Sequence, residues 1–142
     1  ELGNTIGDEL LKVHVSYGPL VQSLLKRFHS ALRTPHSSFP IHALAHITGG
    51  GFIDNLPRVL PRTCDVVIRK GSWPVLPVFQ LIAAKGRVAE PELYQVFNMG
   101  IGMSVLVASD KADAMLRFIR AQGQPAWIIG EVVKGQGLAR VV

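Results

Sequence analysis

From Leu20 onward the apolar positions Leu20, Val21, Leu24, Leu25, Phe28 and Leu32 recur at helical spacing, the stripe of a helix with one face on a core. Pro19 suits the first turn of that helix, where its missing N–H is not needed. Residues 1–15 show no such period and are expected to be a lead-in. The Ser- and Pro-rich stretch 34–40 reads as a loop. Residues 41–47 are a short apolar run, expected to be a buried strand.

Thr48-Gly49-Gly50-Gly51 then predicts a tight turn into a short helix, interrupted or restarted near Pro57. A strand is expected over 63–69, followed by a proline-punctuated connection over 72–77. Val78, Phe79, Ile82 and Ala83 form one helix face, which Gly86 ends. A shorter helix begins at Pro91 and carries Leu93, Tyr94 and Phe97. Asn98-Met99-Gly100-Ile101-Gly102 is a turn into a strand that is apolar on both faces, and is therefore expected to be central. Asp110 with Asp113 resembles a capping pair for a helix that turns Ala112, Met115, Leu116 and Ile119 inward and ends at Gly123. Residues 126–133 form a further strand, and 138–142 an edge strand. The pattern predicts an α+β (α/β-layered) domain: a mixed β-sheet of four to six strands with four or five helices packed on it.

A length of 142 residues allows one domain. With 48% hydrophobic and 18% charged residues the chain is neither a disordered tail nor a coiled coil. No run approaches the roughly 18 apolar residues of a membrane span, and the N-terminus lacks the order of a signal peptide. The single cysteine, Cys64, fits a reducing compartment and sits in a strand-like run, which suits a packing thiol. The net charge of +5 invites a nucleic-acid reading, but the basic residues are scattered and no run exceeds two. A small anion such as a phosphorylated metabolite suits a mildly basic surface equally well. The chain opens on Glu1 rather than Met, so a piece of a longer protein is expected, with a processed or trimmed chain as the other reading.

Most catalytic signatures are missing. There is no Gly-x-Ser-x-Gly elbow and no P-loop, and Gly100-Ile101-Gly102 lacks the third glycine of a dinucleotide fingerprint. His42 and His46 would chelate a metal on a helix, but on a strand they stand about 13 Å apart, so no metal site is expected. His42 is expected to pack and hydrogen-bond at a strand end.

The strongest feature is Ala45-His46-Ile47-Thr48-Gly49-Gly50-Gly51. Two readings stand side by side. Glycine N–H groups at a helix start can receive an anion, with Thr48 adding a hydroxyl and His46 facing the same crevice. Alternatively, the glycines only permit close strand–helix packing. Asn98 can hold a tight turn through its own side chain or offer its amide to a ligand. Arg58 can pair with a phosphate or cap the short helix.

Two segments carry a family resemblance. The run from Ala45-His46-Ile47-Thr48-Gly49-Gly50-Gly51-Phe52-Ile53-Asp54-Asn55 through Leu56-Pro57-Arg58-Val59-Leu60-Pro61 resembles the signature of phosphoribosylformylglycinamidine cyclo-ligases, the aminoimidazole ribonucleotide synthetases. Tyr94-Gln95-Val96-Phe97-Asn98-Met99-Gly100-Ile101-Gly102-Met103 resembles their second stretch, in matching order and separation. The resemblance runs from about Gly7 to Val142 and covers only the C-terminal half of such an enzyme. One departure stands out. The family usually carries Pro-Thr-x-x-Tyr before the first helix, whereas this chain has Val13-His14-Val15-Ser16-Tyr17, keeping only the tyrosine. If that segment shapes the inter-domain cleft, His14 alters it. Related families share the architecture: the amidotransferase-linked synthetase of the preceding purine step, selenophosphate synthetase and the hydrogenase maturation factor. Their glycine motifs differ from His46-Ile47-Thr48-Gly49-Gly50-Gly51.

The resemblance implies a substrate-side domain whose N-terminal partner half binds ATP and Mg²⁺ and supplies a homodimer interface. It implies a cytoplasmic enzyme of purine biosynthesis acting on a phosphorylated ribonucleotide, with no nucleic-acid or membrane partner. On that basis His46 and Thr48 are candidate catalytic residues. Gly49, Gly50, Gly51, Asn55, Arg58, Asn98 and Gly100 are candidates for holding substrate or phosphate. The isolated domain is expected to be inactive. The rival reading is a free-standing phosphometabolite-binding module that uses the same glycine turn without catalysis.

Overall fold

The computed structural model describes residues 2–29 and 39–142. In chain order the elements are α1 (Ile6–Leu10), α2 (Gly18–His29), β1 (Ile41–His46), α3 (Gly51–Asn55), β2 (Cys64–Ile68), α4 (Pro77–Gly86), α5 (Glu90–Val96), β3 (Met103–Val107), α6 (Ala112–Ala121), β4 (Gly130–Lys134) and β5 (Ala139–Val141). Short 3-10 turns at Pro57–Val59 and Ser109–Lys111 follow α3 and precede α6. Leu32 and the expected loop up to residue 38 lie outside the described residues.

The class is α+β, but the strands divide into two sheets. β1 pairs antiparallel with β3; β2 lies between β4, antiparallel, and β5, parallel. The main core fills the space around the three-stranded sheet and buries Ile47, Phe52, Leu56, Val66, Ile68 and Trp73. A second cluster, Leu24, Ile41 and Met115, lies where α2 and α6 cover the β1–β3 pair.

This division corrects the expected central position of β3, whose one ladder among the described residues is with β1. Its apolar character on both faces has another cause. Leu106 packs on the main core, while Val105 and Val107 pack on the α2–α6 cluster. Cover on both faces calls for apolar residues whether or not a strand lies on either side. The middle strand is β2 instead, and β5 is an edge as expected.

Three other expectations are corrected. Part of the lead-in is a helix, α1, started by a capping box in which the Thr5 hydroxyl accepts the Asp8 N–H and the Asp8 carboxylate accepts the Thr5 N–H. Asp110 and Asp113 do not cap α6; Asp110 pairs with Lys111, and the preceding 3-10 turn leads the chain into the helix. The last long strand spans Gly130–Lys134 rather than 126–133, and it opens on a glycine because a Cβ there would fall 2.1 Å from the Val67 carbonyl oxygen. The α2 stripe, the β2 run and the α4 and α5 helices lie where the pattern places them. Cys64 opens β2 as a half-buried free thiol.

Candidate active site

Alternation along β1 buries Ala45 and Ile47 and leaves His46 exposed between them at the strand's carboxyl end. Across the ladder His46 faces Met103, and the Ile47 N–H donates to the Gly102 carbonyl at 2.9 Å. The end of β1 and the start of β3 are thus tied, so the two sequence segments that carry the family resemblance meet here. Thr48 and Gly49 follow, both exposed.

The three glycines serve different needs. Gly50 has φ of +93° and Gly51 of +53°, backbone that side chains rarely adopt. A Cβ on Gly50 would fall 2.7 Å from the Asp54 side chain, and one on Gly51 would fall 2.2 Å from the Tyr94 carbonyl oxygen. Gly51 lets α3 start against the end of α5, and Gly50 leaves room for the Asp54 side chain within α3. Gly49 has no such constraint, because a Cβ there would meet nothing within 4 Å. The packing reading therefore accounts for Gly50 and Gly51 and leaves Gly49 unexplained.

Asn55 is buried, with 4% of its surface exposed. Its side-chain amide donates to the carbonyls of Thr48 at 3.3 Å, Gly49 at 3.2 Å and Gly51 at 2.8 Å. The Gly51 N–H donates back to the Thr48 carbonyl at 3.1 Å. Asn55 therefore holds the glycine turn from inside. On its outer side, Gln95 donates to Asp54 at 3.0 Å, tying α5 to the first turn of α3.

The second turn is built in a similar way. The Asn98 side-chain oxygen accepts the Gly100 N–H at 2.9 Å, and its backbone carbonyl accepts the Ile101 N–H at the same distance. Met99 and Gly100 both have positive φ. The buried Trp73 indole donates to the Met99 carbonyl at 2.9 Å. Asn98 and Gly100 thus shape the turn.

Tyr17, just before α2, closes the other side. Its ring meets the His46 imidazole edge-on, with centroids 6.2 Å apart and planes at 67°. A Cβ on Gly102 would fall 2.3 Å from the Tyr17 hydroxyl. Burial pushes the Tyr17 phenol above its ordinary pKa, and a hydrogen bond from the Gly102 backbone partly opposes this. The sequence marks Tyr17 only as the survivor of a departed motif, and says nothing of its contact with Gly102.

The expected packing of His42 is corrected: it is exposed, at the point where the β1–β3 register slips between Ile41 and Ala43. Arg58 is exposed on the 3-10 turn beside β1. Among the described residues no group of three or more His, Cys, Asp or Glu side chains is placed to hold a metal ion. Two concavities lie elsewhere. A hollow of about 900 Å³ lies between the N-terminal segment and α4, and one of about 240 Å³ is lined by Lys70, Glu90, Tyr94 and Gln95 among others. His46, Thr48 and Gly49 instead form an open lip.

The fold and this lip define an α+β domain whose candidate site is built by two braced turns at the joined ends of β1 and β3. The chain belongs to the family of AIR synthase related proteins, C-terminal domain, whose family model matches residues 6–142. It is similar to the phosphoribosylformylglycinamidine cyclo-ligase of Geobacillus thermodenitrificans, 46% identical over 134 residues that cover 94% of this chain and 36% of the relative. The enzyme of the same name from Desulfotalea psychrophila is 43% identical, covering 94% of this chain and 35% of the relative. That from Acetivibrio thermocellus is 41% identical, covering 93% of this chain and 36% of the relative. The chain thus spans little more than a third of the length of these relatives. No helix of the described residues is long and apolar enough to cross a membrane.

Proposed function

We propose that this chain is the substrate-side domain of an ATP-dependent cyclo-ligase that converts formylglycinamidine ribonucleotide to aminoimidazole ribonucleotide in the cytoplasm. The observation that carries the reading is the exposed lip His46, Thr48 and Gly49, held by two turns that use the residues of the family resemblance. An amide oxygen is a poor leaving group. Transfer of the γ-phosphoryl of ATP to the formamide oxygen releases ADP and makes that oxygen a phosphate ester. The amidine nitrogen then attacks the formyl carbon, inorganic phosphate departs with the oxygen, and loss of a proton leaves the imidazole ring.

The reading assigns ATP and Mg²⁺ to the N-terminal half of the enzyme, and with them the homodimer interface. In this domain His46 contacts the substrate or moves the ring-closing proton. Thr48 and Gly49 offer a hydroxyl and a close backbone approach to the substrate, and the Arg58 guanidinium offers a charge to its phosphate. Gly50, Gly51, Asn55, Asn98 and Gly100 hold the turns in shape. Held geometry of this kind supports catalysis by keeping reacting groups aligned. The domain alone forms no product.

The test uses the full-length protein that carries this chain. ADP release dependent on formylglycinamidine ribonucleotide is expected. His46→Ala and Thr48→Ala are each expected to lower turnover about a hundredfold, in the range of a lost acid–base or oriented contact. Wild-type kinetics in both variants would reject the site, and no ribonucleotide-dependent ADP release would reject the reaction.

A further inference from the structure

We propose that Tyr17 is a positioning residue that fixes the orientation of the His46 imidazole, an inference whose catalytic consequence rests on His46 facing the substrate. Three observations carry it. Tyr17 alone among residues 11–19 is half-buried, the others being exposed. Its backbone is set by α2, since the Tyr17 carbonyl accepts the Val21 N–H at 2.9 Å. Its ring lies edge-on to His46 while its hydroxyl occupies the space where a Gly102 side chain would begin.

These contacts close a loop of connections. Gly102 accepts the N–H of Ile47, the residue after His46, and the Tyr17 hydroxyl sits where a Gly102 side chain would begin. The ring beside the imidazole and the backbone beneath it are therefore referred to the same residue. An exposed histidine at a strand end otherwise keeps several side-chain rotamers. A ring fixed on one side removes those that would swing across it. Substrate-facing groups require placement within about 0.5 Å, and an exposed side chain reaches that only with a neighbour of this kind. The absence of a Cβ at Gly102 is what lets the tyrosine come this close.

Tyr17 could instead serve only to hold α2, and the two roles separate experimentally. In the full-length enzyme, Tyr17→Leu is expected to lower kcat by about tenfold to a hundredfold, the cost of misplacing a reacting group, with KM little changed. Tyr17→Phe, which keeps the ring, recovers most of that loss. In a His46→Ala background Tyr17→Leu is expected to cost almost nothing further, because the two residues act as a unit. In parallel, the imidazole proton resonances of selectively labelled His46 are followed. They are expected to move in Tyr17→Leu and to stay near their wild-type positions in Tyr17→Phe. If Tyr17→Leu fails to fold, Gly102→Ala displaces the hydroxyl from the other side and is expected to move the same resonances and lower kcat. An equal kcat loss in both backgrounds, or His46 resonances unmoved in Tyr17→Leu and Gly102→Ala, overturns the proposal. Wild-type kinetics in His46→Ala would instead overturn the catalytic reading, leaving the resonances to decide the positioning alone.

Discussion

The Cα of Gly51 lies so close to Tyr94 that a Cβ would fall 2.2 Å from the Tyr94 carbonyl oxygen and 2.8 Å from that of Phe97. The start of α3 is thereby seated on the end of α5, and the turn that presents Thr48 and Gly49 inherits its position from that contact. Gly51→Ala adds a positive φ of about 1–2 kcal/mol for an L-residue to an overlap with backbone that cannot swing aside. A destabilisation of at least about 2 kcal/mol is expected in denaturant unfolding. Gly49→Ala is expected to change stability by less than about 0.5 kcal/mol, yet to weaken ribonucleotide binding in the full-length enzyme. Equal stability loss in the two variants would contradict this division of labour.

Asn55 offers a sharper test of the same turn. Asn55→Ala removes a buried donor from three carbonyls and should cost about 1–3 kcal/mol. Asn55→Asp keeps the shape but sets a carboxylate against those carbonyl oxygens, so at neutral pH it should be the more damaging change. Its stability should rise as the pH falls and the carboxyl gains a proton. Urea midpoints at neutral and acid pH measure both, and an Asp variant more stable than the Ala variant at neutral pH would show that Asn55 does not act as a donor.

At Asn98 the useful atom is the acceptor. Asn98→Asp keeps an oxygen for the Gly100 N–H and should leave thermal stability nearly unchanged. Asn98→Ala should cost about 0.5–1.5 kcal/mol, the worth of one hydrogen bond. The same order is expected in kcat, because the turn sets where β3 begins. A kcat that collapses in Asn98→Asp while stability holds would mean that the side-chain NH₂ touches the substrate directly.

Away from the site, Asp65 on β2 governs the C-terminal end of the chain. Its carboxylate accepts the N–H of Leu138 at 2.9 Å and of Gln136 at 2.7 Å, and it pairs with Arg140. The Leu138 N–H, then that of Gln136, with a further contribution from Arg140, hold its pKa below the usual carboxylate value. A group whose folded pKa is depressed contributes stability above its unfolded pKa and loses it as the pH falls through the folded one. Wild type should therefore exceed Asp65→Asn in melting temperature at neutral pH, and the gap should narrow only on the acid side of the ordinary aspartate range. A gap of constant size across that range would remove Asp65 as its source.

Much of the secondary structure was legible because it depends on neighbours in sequence. The stripe Leu20–Leu24–Phe28 marks α2, the run from Cys64 to Ile68 marks β2, and Asn98 followed by positive-φ positions marks a turn. The signature from Ala45 onward also marks the family to which the chain belongs. The Thr5–Asp8 capping box is likewise a local signal, and it starts α1.

What the sequence determined by itself is the class of domain, the place of most helices and strands, and the two glycine-bearing turns, since these follow from periodicity and from backbone chemistry within a few residues. Only the tertiary structure decided which glycine does what. Gly51 is constrained by carbonyls of Tyr94 and Phe97, more than forty residues away, while a Cβ on Gly49 would meet nothing within 4 Å among the described residues. Likewise β3 looked central because its apolar faces record cover above and below, and side-chain composition carries no mark of which strand lies beside it. The meeting of Tyr17, His46 and Gly102 joins three distant segments through a ring edge, a ladder bond and a missing Cβ. Such a contact is set by how α2 packs on the β1–β3 pair, and so exists only once the chain has folded.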